Sequence, residues 1–360
     1  MKSIPVYPPH SVAFQGSSTS REGPAQTLIR LDSNENPYGI SPTVQQAILA
    51  ALPLANRYVF SDLPVLMAKI AARERVSATQ VLVGAGLSDL LEKTALLYFK
   101  PGDNLVCPLP TFPLFLDAVV ATGAQCKSIA CRSDGSHDLE RMEAAIDERT
   151  RMVYICNPNN PTGSITDGQS LLRFCESVSP RVPIFIDEAY LDLALGANTQ
   201  SMVSVLLQKK NVIIGRTFSK GFGLAGLRVG YLLAQPAFLA PFHQVNTMTG
   251  LNISSLALYA ASAALDDVAF HLHYVQQNER VKSYIYSQLN RLGYAFIPSY
   301  TNFILMALPL PGDSFQKQML AKGIRVKTME MHRTFWCRLS LGTLEEMQLF
   351  VKALGELQSL

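Results

Sequence analysis

The sequence predicts an α/β fold, with a large domain on a mostly parallel sheet flanked by helices and a smaller α+β domain at the C-terminal end. Three observations predict it. Between residues 118 and 187, short apolar runs (152–156 and 184–186) alternate with helical runs (139–147 and 169–177), the pattern of buried parallel strands joined by covering helices. Polar segments containing Asn, Asp, Pro or Gly begin where the apolar runs end, and ligands on such sheets bind at the carboxyl ends of strands. Beyond residue 250, a long helical run (254–292) precedes three strand patterns (300–306, 323–327 and 337–343) and a closing helix (344–357). The chain has 360 residues, 48% of them apolar, enough to bury a sizeable core. The expected division is an N-terminal arm at 1–30, a large domain at 31–250 and a small domain at 251–360.

Taken in order, residues 1–30 are rich in Pro, Ser and Gly and predict an irregular arm. Leu31-Asp-Ser-Asn-Glu-Asn-Pro-Tyr-Gly39 is a polar, turn-forming stretch. Ser41 and Pro42 suit the N-cap and first position of a helix continued by Val44, Ile48, Leu49 and Leu52. Arg57-Tyr58 forms a loop before a second helix with Leu63, Leu66, Ile70 and Ala71 on one face. Val81-Leu-Val-Gly-Ala-Gly-Leu-Ser-Asp89 reads as strand, glycine turn and helix start. That geometry aims free N–H groups and the positive helix end at one point, which suits a phosphate. Pro101-Gly-Asp103 is a turn, 105–107 a strand, and Pro110-Thr-Phe-Pro-Leu-Phe115 an aromatic segment between prolines.

Several function classes are excluded by composition. The net charge of +3 is spread without basic blocks, which argues against nucleic-acid or membrane-surface partners and for small molecules. No secretory apolar region opens the chain. Residues 229–265 lack Asp, Glu, Lys and Arg, but Pro236, Pro241, His243, Gln244, Asn246 and Asn252 interrupt them, so no membrane span is expected. A soluble cytoplasmic protein is the expectation. The six cysteines form no C-x-x-C pair, so reduced thiols and no metal site are expected. Gly221-Phe-Gly-Leu-Ala-Gly226 fits a dinucleotide fingerprint literally, but no acidic residue follows until Asp266. That match is incidental.

Three segments carry chemistry. They are Asn157-Pro-Asn-Asn-Pro-Thr-Gly163, Ile184-Phe-Ile-Asp-Glu-Ala-Tyr190 and Arg216-Thr-Phe-Ser-Lys-Gly-Phe-Gly-Leu-Ala-Gly-Leu-Arg-Val-Gly-Tyr231. The order of asparagine, aspartate and tyrosine, lysine, then arginine resembles the fold-type I aminotransferases, and most closely the histidinol-phosphate aminotransferase family. The resemblance runs from about Leu31 to Leu354. It implies the fold type I architecture of pyridoxal-phosphate (PLP) transferases and PLP as cofactor. It also implies an amino donor and a 2-oxo acid acceptor as substrates, and a homodimer.

The resemblance assigns roles that residue chemistry supports. Lys220 would attach to the cofactor and later move a proton between the substrate's Cα and the cofactor's C4′, work suited to a neutral amine. Asp187 would keep the pyridine nitrogen protonated, a buried carboxylate being costly without a cationic partner. Asn160 and Tyr190 would donate to the phenolic oxygen, and Phe112 would stack on the ring. Arg228, Ser219 and the turn Gly86, Leu87 and Ser88 would hold the phosphate, joined by Tyr58 from a partner subunit. Glu188 is expected to point to the opposite side from Asp187. Val59 replaces the proline that follows the family's tyrosine, and Ser88-Asp89 departs slightly from its usual G-x-x-D-E.

Substrate recognition falls to Arg338, Lys327, Asn36 and Tyr38. Arg338 matches the arginine that grips a carboxylate or the phosphate of histidinol phosphate. Lys327 stands where the family has a second arginine, keeping the charge but losing the bidentate fork; Arg325 on the same strand face is a compensating candidate. Met329, Met331, Phe335 and Trp336 make the intervening connection apolar, which favours an aromatic or aliphatic pocket. The expected function is therefore amino exchange between histidinol phosphate, or a related amine or amino acid, and 2-oxoglutarate. The alternatives are an aromatic or other amino-acid aminotransferase, and behind it a threonine-phosphate decarboxylase-like lyase.

Overall fold

The computed structural model describes residues 28–358 except 59, 195, 209, 246–251 and 332. Most of the expected arm, and Val59, lie outside them. Seven strands form the large sheet: β2 (Val81–Gly84), β3 (Asn104–Leu109), β4 (Gln125–Ala130), β5 (Thr150–Cys156), β6 (Ile184–Asp187), β7 (Val212–Thr217) and β8 (Gly230–Leu233), preceded in the chain by β1 (Ile29–Leu31). Their order is β2-β8-β7-β6-β5-β3-β4. The β4–β3, β3–β5, β5–β6 and β6–β7 pairs are parallel, while β8 runs antiparallel to both β7 and β2.

The central strands are apolar at nearly every position because both faces are covered. On one face Val153, Ile155, Ile184, Ile186 and Ile214 join a core with helices α1 (Pro42–Ala51) and α2 (Asp62–Glu74). On the other, Met152, Tyr154, Phe185 and Ile213 pack with α3 (Gly86–Tyr98) and the helix Pro113–Ala121. Helix α1 starts as its sequence predicts. Ser41 Oγ accepts from the Val44 N–H at 3.1 Å, and Pro42 occupies the first turn, where its missing N–H costs nothing.

The second sheet is five-stranded, in the order β1-β11-β12-β10-β9, with β9 (Phe296–Ile297), β10 (Phe303–Ala307), β11 (Ile324–Met331) and β12 (Thr334–Ser340). It packs against the closing helix Leu344–Gln358 around Phe315, Leu339 and Phe350. Two expected boundaries are corrected here. β1, expected at the border of arm and large domain, pairs in parallel with β11 (Ile29 opposite Ile324) and so belongs to the small sheet. The helix Ser255–Asp266, expected in the small domain, buries Ala257, Leu258 and Ala261 in the large core with α1 and α2. The single helical run expected over 254–292 breaks at Asp267, whose carboxylate caps the next helix through the Phe270 N–H at 3.1 Å. That helix, Val268–Arg291, places Tyr274 and Val275 beside Tyr190 and Phe303, then Val281, Ile285 and Leu289 in the small core. Among the described residues, no helix is long and apolar enough to cross a membrane.

Beneath the carboxyl ends of β6 and β7 lies a buried ion network. Glu188, which follows Asp187, points away from it as expected. It accepts from Arg216 Nε at 2.9 Å, the Met202 N–H at 2.8 Å and Ser201 Oγ at 2.8 Å. Arg216 also reaches Asp192 at 3.3 Å and Glu74 at 3.7 Å, and Tyr231 donates to Glu74 at 2.7 Å. Removing one member of such a network leaves its partners buried and uncompensated. Arg216→Ala is therefore expected to cost about 3–5 kcal/mol, read by chemical denaturation. A loss below ~1 kcal/mol, the worth of an exposed pair, would show that the network is solvated.

Candidate active site

Segments far apart in sequence meet because each starts at the carboxyl end of a parallel strand. The segment 157–163 follows β5, Asp187 ends β6, and Ser219 and Lys220 follow β7. Leu87, Ser88, Phe112, Asn160, Asp187, Tyr190, Ser219, Lys220, Arg228 and Arg338 line one cleft there, with Ser33, Asn34 and Glu35 on its far wall.

At its floor, Asp187 is buried and accepts from Tyr154 Oη at 3.0 Å and the Ala189 N–H at 3.0 Å. Desolvation pushes its carboxyl up to about 6, against the pull of those donors and of Lys220. The Lys220 amine donates to the carbonyls of Asn34 at 3.1 Å and Ser33 at 3.3 Å. Desolvation, aided by the charges of Arg338 and Arg228, lowers it to about 8. A carboxylate poised to gain from a cation and an amine close to neutrality therefore share one cleft.

At one end, β2 turns into α3 through Gly86, whose φ of +86° suits glycine. A Cβ there would lie 2.5 Å from Arg228 Nη2, so only glycine leaves room for the guanidinium beside the helix start. Arg228 itself takes a left-handed backbone (φ 53°), and its Nη1 donates to the Ala225 carbonyl at 2.9 Å. Free N–H groups of the first helical turn, a guanidinium and Ser219 Oγ thus border the same corner, a built anion site.

At the other end, Arg338 donates from Nη1 to Asn160 Oδ1 at 2.9 Å and from Nη2 to the Asp32 carbonyl at 2.8 Å, while its buried Nε has no partner among the described residues. Its guanidinium lies 5.6 Å from the Phe303 ring centroid. Tyr190 Oη accepts from Asn34 Nδ2 at 3.0 Å.

Four expected site residues lie elsewhere. Asn36 is buried beside the cleft and accepts from the Tyr38 N–H at 3.0 Å; Tyr38 packs edge-on against Tyr274. The turn exposes residues 33–35 to the cleft in their place. Lys327 pairs with Arg338 across β11 and β12, but its side chain is exposed and outside the lining. Tyr58 is 78% exposed, stacked on Phe60 at 5.4 Å. Conversely, Ser340, Asn302 and Tyr154 support the site without having been expected, and Asn34 does so from the N-E-N-P-Y-G stretch that the resemblance sets beside the substrate. Of the first three, only Tyr154 left a signal, as an inward polar tip two residues before the end of a buried strand.

The residues present fit PLP. A buried carboxylate faces the cleft without a bonded cation, a glycine cradle opens onto a guanidinium and a helix start, and a perturbed lysine lies between them. Among the described residues no group of side chains is arranged to hold a metal ion.

Comparison with known proteins agrees. Residues 26–354 match the family model of class I and II aminotransferases. Histidinol-phosphate aminotransferase of Geobacillus sp. (strain WCH70) is 35% identical over 351 residues, covering 97% of this chain and 95% of the relative. That of Bacillus subtilis (strain 168) is 35% identical over 331 residues, 92% of this chain and 91% of the relative. The Sinorhizobium meliloti histidinol-phosphate aminotransferase, solved in complex with pyridoxal-5′-phosphate, superposes with a TM-score of 0.84 at 28% identity, covering 92% of this chain and 90% of that one. A Thermus thermophilus aspartate aminotransferase mutant reaches 0.81 at 20% identity over 91% and 96% of the two chains, which shows the shared fold alone. The chain belongs to the class I and II aminotransferase family, with the fold type I architecture, and is a PLP-dependent transaminase.

The lowered lysine gives a pH prediction for the cofactor-free protein. Lys220 titrates at about 8 when folded, against the ordinary 10.5, so between those values the unfolded chain holds the extra proton and stability from this group rises with pH. Reductive trapping of a small aldehyde on Lys220, followed by peptide mass spectrometry, is expected to rise with a midpoint near 8. A midpoint close to the ordinary 10.5 would show an unperturbed lysine.

Proposed function

For a chain of the class I and II aminotransferase family, we propose that the amino group moves between histidinol phosphate and 2-oxoglutarate, and that the working unit is a homodimer. The observation that carries this reading is the pair of cationic poles at opposite ends of one cleft. Arg228 with the start of α3 suits the cofactor's phosphate, and Arg338 suits a second anion on the substrate.

When bound, the cofactor supplies an electron sink that acidifies the substrate's Cα. The chain's residues do the rest. Asp187, ionised beside a pyridinium, stabilises that positive charge. Lys220 Nζ, neutral in part near pH 8, accepts the Cα proton. Arg338, whose guanidinium lines the cleft, anchors the substrate's far anion. Asn160, through its bond to Arg338, links that anchor to the cofactor side. In a second reading the substrate is an aromatic amino acid and Arg338 holds its carboxylate; the aromatic residues lining the cleft are Phe112 and Tyr190, while Phe335 packs against the small core.

The dimer reading rests on exposed apolar side chains. From the end of α1 to the start of α2, Leu49 (64% exposed), Leu52 (49%), Tyr58 (78%), Phe60 (51%) and Val65 (54%) follow one another, more than a monomer normally leaves in water. Tyr58 on this stretch would reach the partner's phosphate corner.

A single-turnover experiment separates the substrates. Mixed with the cofactor-loaded enzyme, histidinol phosphate is expected to bleach the visible cofactor band at least about tenfold faster than aromatic amino acids, a difference of about 1.4 kcal/mol. Arg338→Met is expected to lower that rate about 100-fold, and the reverse preference would favour the amino-acid reading. Lys220→Ala should bleach no band at all. For the assembly, sedimentation should show a dimer that Tyr58→Phe leaves intact while weakening PLP affinity; a monomeric wild type would remove the dimer reading.

A further inference from the structure

A closed set of hydrogen bonds stands behind Tyr190. The Asn34 backbone N–H donates to Ser340 Oγ at 2.8 Å, and Ser340 Oγ donates back to Asn34 Oδ1 at 2.8 Å. Asn34 Nδ2 donates to Tyr190 Oη at 3.0 Å. Asn302 Nδ2 holds the Asn34 carbonyl at 3.0 Å and Tyr274 Oη at 3.1 Å. Asn34, Ser340, Asn302 and Tyr190 are all buried, and Asn34 has a left-handed backbone (φ 54°) that asparagine tolerates.

The direction of every bond in this chain follows from its first donor. A backbone N–H cannot turn round. With that hydrogen on it, Ser340 Oγ must spend its own proton on a buried acceptor or leave it unpaired at a cost. The Asn34 atom facing it is therefore the oxygen, and the NH2 group faces Tyr190. Tyr190 Oη is then an acceptor toward Asn34, its one hydrogen-bond partner in the protein among the described residues. Its proton is free to point elsewhere, and the cleft is the open side.

We infer that Asn34, oriented by Ser340 and Asn302, is a positioning residue that fixes the polarity of Tyr190, so that the phenol donates into the cleft toward the cofactor's phenolic oxygen. The inference rests on the proposed placement of Tyr190 beside that oxygen. Burial keeps the phenol protonated, raising it well beyond its ordinary range. The charged and titratable groups facing it are Arg338 from β12, Cys156 from β5, Asp187 from β6, Tyr274 from the helix Val268–Arg291 and, 5.8 Å from the ring centroid, the Lys220 amine after β7. None of these accepts the phenolic proton.

Polarity, unlike shape, can be reversed by one isosteric change. In Asn34→Asp the group facing Tyr190 becomes an acceptor, and the phenol turns its proton away from the cleft. The readouts are the pH midpoint of the bound cofactor's visible absorption and the Kd for PLP, measured for Asn34→Asp, Tyr190→Phe and the double variant. Tyr190→Phe is expected to raise the midpoint by about one pH unit, the scale of one lost hydrogen bond to the ionised oxygen. Asn34→Asp should raise it at least as far, and most of its effect should vanish in the Tyr190→Phe background. An equal Asn34→Asp shift in both backgrounds would mean that the new charge alone acts, and would overturn the inference. If Tyr190→Phe itself leaves the midpoint unmoved, the placement of Tyr190 at the cofactor fails instead. Should Asn34→Asp not bind PLP, Ser340→Ala carries the same test without a charge. By freeing the amide to turn, it should raise the midpoint measurably with Tyr190 present and not at all in the Tyr190→Phe background; equal shifts would again overturn the inference.

Discussion

Asp187 and Glu188 are adjacent carboxylates buried on opposite sides of one sheet, and the difference between their surroundings governs the cleft. Glu188 is met by a guanidinium, a hydroxyl and a backbone N–H. Among the described residues, Asp187 accepts only from a phenol and a backbone N–H, and its carboxyl is pushed up to about 6. One charge is neutralised within the fold, and the other is left to be neutralised by a ligand. Burying an ion without a partner costs several kcal/mol, so a cation bound beside Asp187 would recover what folding spent there. In the proposed reaction, cofactor affinity and electronic demand would draw on the same desolvated carboxylate.

The two sheets do not meet as independent bodies around this charge. Residues 32–36 run between them and are held from both sides: Asp32 by Arg338, Asn34 by Ser340 and Asn302 of the small domain, and the carbonyls of Ser33 and Asn34 by Lys220 of the large one. Because β1 is itself a strand of the small sheet, any shift of that sheet carries this segment along. The lysine amine rests on two of its carbonyls, contacts it would leave in the proposed attachment to the cofactor. The segment is therefore a joint between substrate side and cofactor side, made from backbone as much as from side chains.

How much of this the residues announce depends on range. Strand ends, the Ser41 cap and the Asp187–Lys220–Arg228 series are local or ordered along the chain, so apolar runs and the polar residues after them suffice. The polarity of Asn34 depends on a serine 306 residues away, and no periodicity records such a pair. Asn36 and Tyr38 belong to the right turn, but with Asn34 in a left-handed backbone it is residues 33–35 that line the cleft. The placement of Ser255–Asp266 was hidden for another reason. An alanine-rich helix with little charge reads the same whichever core it fills, and only its packing on α1 and α2 decides. β1 is three residues long, too short to show alternation.

The antiparallel course of β8 has a further consequence. A chain leaving β7 at the carboxyl edge would, to make another parallel strand, have to travel to the far edge before returning. Because β8 runs backwards, it begins at the edge where β7 ended, and the intervening loop never leaves the cleft. Lys220 and Arg228 are therefore the two ends of one short tether, eight residues apart. Eight residues of chain cap how far the amine and the guanidinium can separate, and the fold of the loop, held by the Arg228 donation to the Ala225 carbonyl, sets how close they lie. An insertion in that loop would therefore disturb two parts of the cleft at once, because the side chains at both of its ends line it.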